Sequence, residues 1–221
     1  MKYTKLLVFV AAATLLTGCA KATSSGKKKT SSESSITESI DTRELTEQEF
    51  LEKVEKIPAH QYTNATAKYD ISYTGSGFFV GQTEHIKSEA ECYYDNGSWT
   101  SDSTDGYDKT IAASIFTLKE HNLADDLEQM KKTYDSFEYE AKYFKKPLQI
   151  DYTFKIATAT NGLTITIDST NTYVFDEYGF IVRMDSTTKE NIYGVASEME
   201  INGTLDGTSV IDYIYYDVSV E

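Results

Sequence analysis

The chain has 221 residues, 21 basic against 35 acidic, and a formal net charge of −14. An excess of that sign repels phosphate, which argues against nucleic acid as a partner. With two cysteines, Cys19 and Cys92, and three scattered histidines, His60, His85 and His121, there is no disulfide framework and no histidine pair at zinc-binding spacing.

Residues 1–18 have the zones of an export signal: Lys2 and Lys5, an apolar run from Leu6 to Leu16, then Thr17 and Gly18. The run is too short for a bilayer core of ~30 Å, which needs about 20 apolar residues, so a removable signal peptide is predicted. Leu16-Thr17-Gly18-Cys19 closely resembles the lipobox of bacterial lipoproteins. The resemblance implies cleavage between Gly18 and Cys19, a diacylglyceryl group on the Cys19 thiol and often acylation of the new amino terminus. Two acyl chains give a lasting anchor. The implied location is the extracytoplasmic face of the cell membrane. Residues 19–44 continue as a Ser/Thr/Lys-rich stretch with little to bury, expected to be a disordered tether. Lysine outnumbers arginine 19 to 2, a bias associated with AT-rich genomes and pointing to a Gram-positive bacterium.

Residues 45–221 are read as one domain, carrying 14 basic and 31 acidic residues, a net charge of −17. Thr46 and Glu49 form a predicted capping box, with Leu45 and Phe50 as a hydrophobic staple. Phe50, Leu51, Val54 and Ile57 recur at helical spacing until Pro58 ends the run. Ala65, Ala67, Tyr69, Ile71 and Tyr73 then alternate with polar residues as a strand with one wet face. A second strand over 85–94 turns through Asn96-Gly97 towards Trp99. Ile111, Ile115 and Leu118, then Leu123, Leu127, Met130 and Tyr134, return to helical spacing and predict two short helices broken near Asn122. Strands resume at Phe137–Tyr143, Ile150–Ile156 and Leu163–Ile167, with Asn161-Gly162 as a turn. A hairpin around Asp176–Gly179 follows, and Val195–Ile201 and Val210–Val220 supply the last two predicted strands.

The expected fold class is α+β: an antiparallel sheet of about 8–9 strands covered by an N-terminal amphipathic helix and two short central helices. The order resembles the LolA/LppX-like group of exported bacterial proteins. The residues that carry the likeness are "FLEKVEKI", "AECYYDNGSWT", "KKPLQIDYTF" and "TYVFDEYGFIVRM". The resemblance implies a curved half-barrel closed by helices, with a cavity that often holds lipid acyl chains. It carries over no site residue.

No nucleophile elbow, phosphate loop or penicillin-binding motif is present, so no catalytic residue and no cofactor are assigned and a non-enzymatic role is expected. Cys92 alternates with apolar residues and reads as a packed thiol. Asp102, Asp105 and Asp108 around Gly106 are the best hard-cation candidates, but their spacing of three and the absence of a bidentate glutamate fit calcium poorly. Asp108 reads instead as a helix cap. The 17 tyrosines lie mostly at alternating strand positions, where cross-strand packing explains them. The leading expectation is a membrane-anchored binding module for a lipid or other apolar ligand, with Tyr69, Ile71, Tyr73, Tyr152 and Phe154 lining the site. The alternative is a surface interaction protein that binds protein or cell-wall polymer and has no internal cavity.

Overall fold

The computed structural model describes residues 41–119, 129–196 and 198–216; the predicted signal, Cys19 and most of the tether lie outside them. Nine strands form one antiparallel sheet: β1 (Asp41–Leu45), β2 (Asn64–Gly77), β3 (Thr83–Asp95), β4 (Ser98–Thr100), β5 (Ser136–Lys146), β6 (Leu148–Thr160), β7 (Leu163–Phe175), β8 (Ile181–Ala196) and β9 (Met199–Tyr216). Their order is β1-β5-β6-β7-β8-β9-β2-β3-β4, open at both edges. β5 to β9 make a continuous meander, and β9 returns to lie beside β2 over fourteen residue pairs.

The predicted turns are set by backbone chemistry. Asn96 and Gly97 adopt φ of 47° and 87°, and Asn161 and Gly162 adopt 51° and 80°, the left-handed pair that a two-residue hairpin requires. Two boundaries differ from expectation. The chain joins the sheet at Asp41, within the last four residues of the predicted tether, because β1 adds to the β5 edge by backbone pairing that no side-chain alternation announces. Val195–Ile201 is not a strand of its own. It straddles the β8–β9 hairpin, where Ala196 pairs with Met199 and Glu198 takes φ of 66°.

Helix α1 (Glu47–Glu55) starts at the predicted capping box: the Glu49 amide donates to Thr46 Oγ1 at 3.2 Å and the Thr46 amide donates to Glu49 Oε2 at 2.9 Å. Phe50 is buried and its ring lies 4.9 Å from that of Tyr143 on β5, whereas Leu51 is exposed. Helix α2 (Gly106–Ala113) packs on β3 and β4. Its cap is Asp105, whose carboxylate accepts from the Tyr107 amide at 2.8 Å, and not Asp108. The described residues thus hold fewer helices than expected: α1, α2 and a helical stretch at 129–133, with Leu123 and Leu127 of the second central helix outside the described residues.

Among the described residues, α1 contacts β1 and β5, and α2 contacts β3 and β4. The core contains Tyr69, Ile71, Tyr152, Phe154, Tyr173, Ile181, Ile211 and Tyr213 from the sheet, Phe180 just before β8, and Ile111, Ala112, Ile115 and Phe116 from α2 and the segment after it. Tyr213 donates to the Ile111 carbonyl and shares a 2.7 Å hydrogen bond with Ser114, so the phenol tips tie the sheet to the end of α2. Among the described residues, no helix is long and apolar enough to cross a membrane.

Candidate functional site

The register places the inner face in rows across the strands. One row reads Tyr73, Gly207, Thr188, Ser169, Phe154 from β2 through β9, β8 and β7 to β6, and the next reads Ile71, Ser209, Ser186, Asn171, Tyr152. The five expected lining residues all lie on this face and are buried, Tyr69, Ile71 and Tyr73 on one side and Tyr152 and Phe154 on the other. Between them lies what the sequence reading missed, a patch of short polar side chains.

Asn171 is 1 % exposed at its centre. Its Oδ1 accepts from Ser186 Oγ at 2.7 Å, its Nδ2 donates to Ser169 Oγ at 3.1 Å, and Ser169 in turn shares a 3.1 Å hydrogen bond with Thr188. A satisfied buried amide of this kind is tolerated where an unpaired one would cost about 1–3 kcal/mol. Gly207 adds no bulk: a methyl group on its Cα would meet nothing closer than 3.7 Å. The patch was legible in part, because "DSTN" in β7 and "DSTTKEN" in β8 are polar at both parities, where a one-sided strand alternates.

One row further along, Glu190 pairs with Ile167 on β7 and Leu205 on β9. It is 6 % exposed, and burial pushes its carboxyl above the usual carboxylate range. Beyond it begins a second apolar cluster, Phe79, Ile192 and Leu205, with Leu163, Ile165 and Ile201 packed around it.

The outer face differs in kind. Glu138, Lys155, Asp168, Lys189 and Asp206 stand opposite one another on β5 to β9 and alternate in sign. A parallel row of Thr153, Thr170, Thr187 and Thr208 follows. A groove of about 570 Å³ lies over β5–β8, lined by Glu138, Glu140, Thr153, Lys155, Thr170 and Lys189 among others. Arg183 clamps β8 to β9 on this face, holding Asp185 through two 2.8 Å hydrogen bonds and Asp212 through one of 2.9 Å.

The remaining candidates are dispersed. Asp102 accepts from the Tyr93 hydroxyl, Asp105 caps α2, and Asp108 accepts from the Tyr69 hydroxyl at 2.7 Å. Among the described residues no three His, Cys, Asp or Glu side chains are grouped to hold a metal. Cys92 is 2 % exposed and burial pushes its thiol up to about 12, which suits packing and not nucleophilic attack. His60 stacks against Tyr178, His85 meets Asp70 at 2.7 Å, and His121 lies outside the described residues. No protein family, curated protein or solved structure matches the chain.

Proposed function

We propose that the protein is a lipid-anchored, extracytoplasmic, non-enzymatic binding module of LolA/LppX-like build, which takes an amphipathic small molecule between the inner face of its sheet and the helices. In this reading the nine strands curve as a half-barrel and Cys19 carries the anchor at the cell membrane. The observation that supports it is the composition of the inner face, where Ile71, Tyr73, Tyr152 and Phe154 flank a patch of short polar side chains and Gly207. A sheet built only for stability fills such a centre with branched apolar residues. Apolar walls around a few convergent polar groups are the usual make-up of a small-molecule site.

The groove on the outer face favours a second reading, a surface module that binds protein or cell-wall polymer through alternating charges and threonines. One experiment divides the two. The full chain carrying Cys19→Ser is purified without detergent, and organic extracts are examined by mass spectrometry. An amphiphile at about one molecule per chain is the expected result. A clean extract, together with retention of the chain on purified cell wall, would replace the first reading with the second.

A further inference from the structure

Glu190 is the feature that neither reading uses. Among the described residues its carboxylate makes no hydrogen bond and no ion pair, although the residue is only 6 % exposed. The groups facing it from the neighbouring strands are Ile167 on β7 and Leu205 on β9, with Thr188 and Ile192 two residues away on its own strand. Among the described residues, Tyr73 lies on the same face two strands away on β2, and its hydroxyl is donated to Glu84. A carboxylate placed so is costly, and an apolar residue of similar volume would pack there at a gain.

Its position between two chemistries says what would offset the cost. On one side lies Thr188, the end of the hydroxyl network that runs through Ser169 to Asn171. On the other lies the cluster of Phe79, Ile192 and Leu205, which continues towards the β2–β3 and β8–β9 hairpins, where Phe78, Val80, Val195 and Met199 are exposed. From Glu190 to Gly194 the strand advances roughly 13 Å at about 3.3 Å per residue, the length of a medium aliphatic chain. One carboxylate and one hydroxyl fall far short of the six to eight oxygens that calcium requires. They suit an ammonium group, which brings three donors and a positive charge.

We infer that Glu190 receives the protonated amine of an amphiphile whose aliphatic tail lies along Ile192, Leu205 and Phe79 towards the hairpin ends. The inference rests on the binding-module reading and names its ligand class. The test uses the full chain carrying Cys19→Ser, stripped of bound molecules, and titrates it with dodecylamine, dodecanol and dodecanoate below the concentrations at which each aggregates or separates from water. Dodecylamine is expected to bind at least about tenfold tighter than dodecanol, with dodecanoate the weakest. Glu190→Gln, which keeps the side chain's shape, should erase the amine's advantage and leave dodecanol within about twofold of its original affinity. Equal affinity of amine and alcohol for the unaltered site, or an advantage that survives Glu190→Gln, overturns the role of Glu190 and leaves the binding-module reading standing. Failure of all three probes to bind overturns both.

Discussion

At the scale of the residue, Glu190 makes a claim about stability that does not depend on any ligand. Burial alone raises its carboxyl above the ordinary range, with no charged neighbour contributing. A folded-state value above the unfolded one means that folding takes up a proton just above the pH where glutamate normally titrates. The stability that belongs to the protonated side chain is complete below the unfolded value and is lost as pH rises through the folded one. In the ligand-free protein, Glu190→Gln is therefore expected to add about 1–3 kcal/mol at pH near 8 and almost nothing at pH near 4. Urea unfolding at the two pH values measures this, and an equal gain at both would exclude charge as the cause. The buried face of Tyr69, Ile71, Tyr73, Tyr152 and Phe154 could be picked from sequence because alternation assigns a face. Glu190 could not, because a glutamate between Lys189 and Asn191 reads as solvated until the register sets it opposite Ile167 and Leu205.

Elements were most legible where a local rule fixes the backbone and least where pairing alone decides. The Asn-Gly turns and the capping box of α1 follow from chemistry confined to a few residues, and both are in place. β1 has no such signature; it exists because the edge of β5 offers unpaired backbone groups. Val195–Ile201 misleads for a related reason. Its apolar residues belong to the two arms of a hairpin whose turn carries no Asn-Gly or Gly-Gly pair. For α1, local capping and tertiary packing can be separated. Thr46→Ala removes the hydroxyl that accepts from the Glu49 amide and should cost about 1 kcal/mol, while Thr46→Ser should cost far less. Thermal melts of the two variants measure the difference. An unchanged Tm for Thr46→Ala would mean that the packing of Phe50 on Tyr143 holds the helix without its cap.

For the whole molecule, polarity along the sheet matters more than any one contact. Asp41, where the chain enters the sheet, pairs with Lys146 at the end where β5 turns into β6. The β2–β3, β6–β7 and β8–β9 hairpins lie at the other end, with exposed Phe78, Val80, Tyr193, Val195 and Met199 on the first and last of them. The eleven residues of β5 put roughly 35 Å between the two ends, at about 3.3 Å per residue. A chain held through Cys19 would therefore be tethered at its entry end, with the apolar hairpins at the opposite end of the sheet. The domain's charge of −17 would keep it off an anionic surface, so under the proposed anchoring the acyl chains and not electrostatic attraction would do the holding. This gives a paired expectation for cell fractionation. The unaltered protein should stay in the membrane fraction through a wash in about 1 M salt, where the Debye length falls to about 3 Å. Cys19→Ser should appear in the medium or persist as an unprocessed precursor. Release of the unaltered protein by salt, or a mature-sized Cys19→Ser product that stays with the membrane, would show that something other than the Cys19 thiol holds the domain there.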